Sequence, residues 1–119
     1  MKPLLAVALV VAAAVPVVAQ QVYRPGDDGV TLPVLVKSVK PHYTPAAMKQ
    51  RIEGAAQLDC VVLADGKVGD VSIVESLDAK YGLDEEAISA LKQWEFRPGR
   101  REGKPVAVRV HVMMSFRLK

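Results

Sequence analysis

The longest hydrophobic pattern of the chain lies at its C-terminal end. Apolar residues occupy seven consecutive even positions there, and mainly polar or charged residues separate them. A period of two is typical of a β-strand that buries one face. The pattern therefore predicts a long strand over residues 106–118, with a buried face formed by Val106, Val108, Val110, Val112, Met114, Phe116 and Leu118.

A shorter alternating segment runs from Ala56 to Ala64, where every even position is apolar. It predicts a strand that carries Cys60 on its buried face. Because Cys60 is the only cysteine, no internal disulfide is available and the fold must rest on packing. A structural thiol is favoured over a reactive one, since no basic residue lies at strand spacing beside it.

This strand is expected to turn back on itself at Asp65-Gly66. Two-residue Asp-Gly loops favour the mirror-image turn that matches strand twist, which predicts a hairpin with a return strand over residues 67–75. Val68 is out of step by one residue with the apolar positions that follow it. The offset predicts a β-bulge near Gly69-Asp70.

Two helices complete the pattern. Thr44 is expected to cap the first helix, with Pro45 at its first position and Gly54 at its close. Asp84 is the expected N-cap of the second helix, and apolar residues recur along one face of that helix. The order α-β-β-α-β predicts an α+β domain in which two helices cover one face of a three-stranded antiparallel sheet. The core positions predicted on the second helix are Leu83, Ala87, Leu91 and Trp94.

Residues 1–19 have the layout of a secretory signal. A positive charge near the start precedes the apolar run Leu4–Val15, and Pro16 interrupts it ahead of small residues that end at Ala19. We expect cleavage after Ala19 and a periplasmic product. An uncleaved inner-membrane anchor is the alternative, although the run is shorter than the about 20 residues that a spanning helix needs.

Residues 20–38 separate this leader from the predicted domain. They contain several Gly and Pro residues, which are typical of turns and loops, and are expected to form a short linker. The domain itself is expected over residues 39–119.

The charge of the chain is small and unevenly placed. A formal net charge of +3 does not by itself indicate nucleic-acid binding, and none is expected. From Arg97 to Lys119, however, seven basic residues stand against one acidic residue, Glu102. Such an excess is typical of solvated strand faces, and it also suits a surface that prefers an acidic partner.

The sequence contains none of the common catalytic or cofactor motifs. It has no nucleotide-binding glycine loop, no paired cysteines and no metalloprotease or serine-hydrolase motif. Its two histidines are His42 and His111; His111 falls on the polar face of the last strand and is expected to be an exposed spectator. We therefore predict a binding module rather than an enzyme, with no cofactor and no metal.

Several short motifs occur in an order that resembles the TonB C-terminal domain family. They include a P-H-Y-T-P-A-A opening, a D-G hairpin, an L-D-E-E-A helix start, W-E-F-R-P and G-K-P-V. Each motif is short, but together they extend over the whole predicted domain. The matching segments are 40–47, 52–54, 65–76, 83–87, 94–98, 103–106 and 116–118.

The resemblance implies a function in transport across the outer membrane. TonB proteins carry energy from the ExbB–ExbD motor of the inner membrane to outer-membrane receptors for siderophores, cobalamin and similar nutrients. Their C-terminal domain holds the TonB box of the receptor as an added β-strand. The resemblance therefore predicts the fold of this family, with the receptor and the motor as the expected partners.

Two differences from the family leave a second hypothesis open. The apolar run Leu4–Ala19 lacks the Ser and His that the family's anchors direct at the motor. Residues 20–38 also reach at most roughly 70 Å when fully extended, whereas family transducers have a long proline-rich linker. The second hypothesis is a periplasmic interaction or assembly module with the same fold and no energy coupling.

The last strand is expected to supply the binding surface. It has no hairpin partner, so it can join one end of the sheet and leave a backbone edge open to a receptor peptide. Arg109, His111 and Arg117 would bias that peptide toward acidic sequences. Self-pairing of the same edge into a homodimer is the alternative. The expected peptide-binding residues are Arg109, Val110, His111, Val112, Met113, Ser115 and Arg117.

Overall fold

The computed structural model describes residues 21–118, which contain seven strands and two helices. The predicted leader and its cleavage site lie outside this range. The elements in chain order are β1 (Val22–Tyr23), β2 (Val34–Lys37), α1 (Pro45–Lys49), β3 (Gly54–Val62), β4 (Val68–Glu75), α2 (Leu83–Leu91), β5 (Glu95–Arg97), β6 (Gly99–Arg101) and β7 (Lys104–Phe116).

β7 is the longest strand and organises the main sheet. It pairs antiparallel with β3, from Gly54 opposite Phe116 to Val62 opposite Val108. β4 pairs antiparallel with the other side of β3. The three strands that the sequence predicts are therefore present, in the order β7-β3-β4.

Further short strands extend this arrangement. β1 pairs with β7 in parallel at Ala107 and Val108, and β6 pairs with residues 104–106 of β7. β2 and β5 form a separate two-stranded sheet. Strands of two to four residues are too short to have a detectable period in the sequence. The α+β class is confirmed, while the main sheet has five strands rather than three.

One hydrophobic core lies between the two helices and the even-numbered face of β3 and β7. The period of two on the strands supplies it as predicted, and so does the helical spacing of Leu83, Ala87 and Leu91 on α2. The prediction that Trp94 lies on the same helix is wrong, because α2 ends at Leu91. Trp94 packs at its border and is half-buried. The buried members of the core are Ala47, Ala56, Leu58, Cys60, Leu83, Ala87, Ala90, Leu91, Met114 and Phe116.

Cys60 is fully buried in this core, as the alternation predicts. Burial, reinforced by the neighbouring Asp59 carboxylate, raises the pKa of the Cys60 thiol to about 11, and the nearby Arg109 guanidinium offsets only part of the rise. The thiol is therefore protonated at neutral pH and takes the structural role that the sequence predicts.

The first helix begins as predicted but ends earlier. The Oγ1 atom of Thr44 accepts a hydrogen bond from the backbone N–H of Ala47 at 3.1 Å, which makes Thr44 the N-cap. α1 ends at Lys49, and Arg51 takes a left-handed conformation with φ of 55°. The prediction that Gly54 closes the helix is wrong, because Gly54 is the first residue of β3.

The prediction that Asp84 caps the second helix is also wrong. α2 already begins at Leu83, and Gly82 before it offers no side chain for capping. Asp84 lies inside the first turn and binds the preceding loop instead. Its hydrogen-bond donors are the Ser76 hydroxyl and the backbone N–H groups of Leu77 at 3.0 Å and Asp78 at 3.1 Å.

The loop between β3 and β4 has three residues rather than two. The backbone N–H of Leu63 donates to the carbonyl oxygen of Lys67 at 2.8 Å and so closes the hairpin around Ala64, Asp65 and Gly66. Gly66 is the one loop residue with positive φ, at 88°. This is a three-residue hairpin loop with a left-handed glycine in last position, not the mirror-image turn that the dipeptide predicts.

The predicted bulge in the return strand is confirmed. The register of β3 against β4 shifts between Asp59 and Val61, which face Ser72 and Gly69 respectively. Asp70 lies within this shift and has φ of 53°.

Candidate functional site

Along its second half, β7 has a strand partner on one side only. β3 covers one side, while β1 covers the opposite side only at Ala107 and Val108. From Arg109 to Phe116 no strand among residues 21–118 pairs with that opposite side. An unpaired edge presents backbone N–H and C=O groups to another strand. The open edge of β7, residues 109–116, is therefore shorter than the sequence predicts.

A groove of about 480 Å³ runs beside the C-terminal part of the open edge. The edge contributes Met113 and Ser115, and the facing wall is the segment 38–41. The indole N–H of Trp94 donates to the carbonyl oxygen of Val39 at 2.8 Å and holds this wall in place. Because most of these groups are apolar, the groove suits apolar side chains of a strand laid along the edge.

A second hollow, of about 510 Å³, lies at the start of the open edge, where β1 ends. Arg24, Arg109 and His111 line it together with the Asp59 carboxylate. Arg109 also lies 3.7 Å from the Asp70 carboxylate, but both side chains are exposed, so the pair contributes little to stability. The guanidinium groups remain available to an acidic side chain in the hollow.

His111 is exposed but is not the isolated spectator that the sequence predicts. Its Nδ1 lies 2.9 Å from Asp59 Oδ1, and its Nε2 lies 2.9 Å from Gln57 Oε1. Gln57 in turn donates from Nε2 to Glu75 at 2.8 Å. This chain of contacts crosses β7, β3 and β4 on the face opposite the helices, and it positions the imidazole beside the open edge.

The remaining predicted site residues divide between the two faces of the sheet. Val110 and Val112 point toward the core and are half-buried against it, which suits the predicted role of holding the strand in register. Arg117 lies beyond the last residue of β7, so it is not on the paired strand.

Sequence reasoning missed Arg24 and the segment 38–41, because loop residues carry no periodic pattern.

The described residues hold neither a metal cluster nor a membrane helix. No three His, Cys, Asp or Glu side chains in residues 21–118 are grouped to bind a metal ion. Within the same range, no helix is both long and apolar enough to span a bilayer.

Comparison with known proteins identifies the family. Residues 39–118 match the family described as Gram-negative bacterial TonB protein C-terminal. The chain belongs to this family. Membership of this non-enzymatic family also agrees with the prediction that the domain is not an enzyme.

Individual relatives agree with this assignment. Protein TonB of Vibrio cholerae serotype O1 is 35% identical over 88 residues, which cover 73% of this chain and 36% of the relative. Protein TonB of Xanthomonas campestris pv. campestris is 34% identical over 93 residues, covering 77% of this chain and 41% of the relative. The chain thus spans roughly two fifths or less of the length of these two relatives.

A solved structure confirms the fold. The solution NMR structure of the Pseudomonas aeruginosa TonB C-terminal domain superposes with a TM-score of 0.60 and 25% sequence identity. The superposition covers 81% of this chain and 93% of that domain. The α+β arrangement derived from the hydrophobic pattern is therefore the TonB C-terminal fold.

Proposed function

We propose that this TonB C-terminal domain binds the TonB box of outer-membrane receptors in the periplasm. The peptide adds as a strand along the open edge of β7, and the complex supports energy-dependent uptake of siderophore-type nutrients. The observation that carries the proposal is this edge itself, whose outer backbone groups find no strand partner among residues 21–118.

The two hollows beside the edge suggest what such a peptide contains. The basic hollow includes Arg109 and the apolar groove includes Met113, four residues farther along β7. Strand residues rise by about 3.3 Å each, so the two sites are separated by about 13 Å. A peptide with one acidic and one apolar side chain at that separation would occupy both while its backbone pairs with β7.

Energy coupling depends on the N-terminal segment. If the leader stays uncleaved, it anchors the chain in the inner membrane and the ExbB–ExbD motor becomes a partner. If it is cleaved after Ala19, the domain binds its receptor in the periplasm without a link to the motor.

One observation favours the second hypothesis, a periplasmic interaction or assembly module without energy coupling. β1 pairs with β7 and β2 pairs with β5, so much of the predicted linker 20–38 lies folded against the domain. In this state the segment reaches less far than the roughly 70 Å of an extended chain.

An NMR titration with a receptor-derived TonB-box peptide tests the proposal. We expect amide shifts along residues 109–116 and at the groove residue Val39. Arg109→Gln should lower the affinity for an acidic peptide by about threefold, because an exposed charge contributes less than about 1 kcal/mol. It should also reduce the salt dependence of binding. The matched control is Lys49→Gln, on the exposed end of α1, which should bind like the unmodified chain.

Two results would contradict strand addition at this edge. One is a set of shifts confined to the hairpin between β3 and β4, with none between residues 109 and 116. The other is a concentration-dependent homodimer in which the amides of residues 109–116 are already protected, which would assign the edge to self-pairing instead.

A further inference from the structure

A ribbon of two chain segments extends the pairing of β2 and β5. Val34 lies opposite Arg97 and Leu35 opposite Phe96, and the same register places Val30 opposite Arg101. Between these points, the backbone N–H of Thr31 donates to the carbonyl oxygen of Arg100 at 2.8 Å. Residues 30–37 and 95–101 thus form one antiparallel ribbon, called here the basic ribbon.

The outer edge of the basic ribbon is unoccupied by any other strand in the described part of the chain. β2 has β5 as its neighbour on one side, and no pairing is found on the other. This edge is separate from the open edge of β7, because β2 is not a strand of the main sheet and the ribbon joins that sheet through β6, at residues 104–106 of β7. Its backbone groups can pair with an incoming strand in the same way.

Apolar side chains are concentrated on this ribbon. Four of the eight exposed large hydrophobic residues of the described chain lie between residues 32 and 36. Leu32, Val34 and Val36 are all exposed, with exposed fractions of 57%, 53% and 61%. Leu32 and Val34 lie two residues apart along the chain, and the pairing of β2 with β5 has a β-bulge at Val36, between Leu35 and Lys37. Single exposed apolar residues are common, but a row of three along an open edge is typical of a contact surface.

Positive charge is concentrated there as well. Residues 30–37 and 95–101 carry four basic residues against one acidic residue, an excess equal to the net charge of the whole chain. The ion pair of Arg109 with Asp70 and the contact of His111 with Asp59 both lie outside the basic ribbon. Arg97 lies directly opposite Val34, and Lys37 follows the exposed apolar residues and lies opposite Glu95. No ion pair involving Lys37, Arg97 or Glu95 is found in residues 21–118, so these cations are available to an acidic partner.

We propose that the outer edge of β2 is a second docking site, which takes an extended acidic segment of a partner protein as an added strand. Alternating apolar side chains of that segment cover Leu32, Val34 and Val36, and its carboxylates meet Lys37 and Arg97. A strand fits better than a lipid surface, because a bilayer offers no matched row of N–H and C=O groups to the open edge. The site does not depend on what binds to β7.

The full chain can be tested by NMR titration with a short synthetic peptide that alternates Asp with Val. We expect saturable amide shifts at residues 34–37 and 95–97 and none at residues 109–116. A matched peptide that alternates Lys with Val should bind at least tenfold more weakly, since its charges repel the ribbon.

Two variants with one control define the contribution of the edge. Val36→Asp should abolish saturable binding, and Arg97→Gln should weaken it by about threefold. Val74→Asp is the control, because Val74 is an exposed valine on β4 with a similar exposed fraction of 55%. Binding of a receptor-derived TonB-box peptide at β7 should be unchanged in Val36→Asp, which separates failure of this site from failure of the proposed function.

Five outcomes would overturn the proposal. The acidic peptide shifts amides of β7 alone, or produces no shift at all. The basic peptide binds as well as the acidic one. Vesicles of phosphatidylglycerol and phosphatidylcholine bind with the same dependence on Val36 while the peptide does not. The chain forms a dimer that protects the amides of β2 without peptide, in which case a second copy is the occupant.

Discussion

The indole N–H of Trp94 donates a 2.8 Å hydrogen bond to the carbonyl oxygen of Val39, 55 residues earlier in the chain. The bond ties the segment before the first helix to the residues that follow the second helix. The ring of Phe96 lies 6.2 Å from that of Trp94 and supports it from the start of β5. One side chain thus borders the core and also positions a wall of the groove beside the open edge of β7.

Replacement of Trp94 should cost both packing and the position of the groove. Because Trp94 is half-buried, we expect Trp94→Ala to lower the free energy of unfolding by about 3 kcal/mol, at the lower end of the range for large core truncations. Trp94→Phe keeps an aromatic ring but loses the hydrogen bond, so we expect it to lower the free energy of unfolding by about 1 kcal/mol. Urea unfolding followed by circular dichroism measures both. An unchanged midpoint for Trp94→Ala would show that the ring contributes nothing to the fold.

Gly66 and Gly103 provide a matched pair for testing a close backbone approach. Both have positive φ, 88° and 78°, so alanine at either position is strained by about 1 kcal/mol. A Cβ on Gly66 would also lie 2.1 Å from the carbonyl oxygen of Phe96, whereas a Cβ on Gly103 meets nothing within 4 Å. We expect thermal unfolding to show that Gly66→Ala loses at least twice as much stability as Gly103→Ala. Equal losses would contradict the close approach.

Asp84 should stabilise the fold through its hydrogen bonds to the loop before α2. Burial by itself would raise the pKa of the Asp84 carboxyl, but the hydrogen bonds from Ser76, Asp78 and Leu77 outweigh it and hold the pKa below its usual value of 3.8. A lowered folded-state pKa adds stability above the unfolded-state value, and that stability is lost as the pH falls through the folded-state pKa.

We therefore expect Asp84→Ala to lower the free energy of unfolding by about 1–3 kcal/mol at pH 7, because it leaves buried amides without an acceptor. The difference from the unmodified chain should shrink when denaturant unfolding is repeated below pH 3.8. Glu85→Ala, an exposed acid in the same turn, is the control and should have little effect. A difference that is the same at both pH values would rule out a role for the ionised carboxylate.

The state of the N-terminus should distinguish the two functional hypotheses. The layout of the leader predicts cleavage after Ala19, so the mass of the exported protein should correspond to a chain that begins at Gln20. Mass spectrometry of the periplasmic fraction measures this directly. An intact chain that stays in the inner-membrane fraction after carbonate washing would instead favour coupling to the motor.

Local patterns were enough to predict the three long strands, both helices and the core. Side chains at the even positions of a strand lie on one face of it, regardless of which strands pair with it. Leu58, Cys60 and Phe116 could therefore be assigned to the core from periodicity alone. The caps and turns were predicted less well. An acid at a helix start satisfies nearby amides, but whether these belong to the helix or to the preceding loop depends on how the loop folds, as Asp84 demonstrates.

The sequence by itself determined the α+β class, the buried thiol and the strand whose edge forms the candidate site. Only the tertiary structure decided that β1 occupies this edge at Ala107 and Val108, and that segment 38–41 forms a groove beside it. It also brought His111 to Asp59, 52 residues apart. The physical reason is that periodicity records which way a side chain faces, whereas strand order and loop contacts arise from pairings between distant residues that no local pattern encodes.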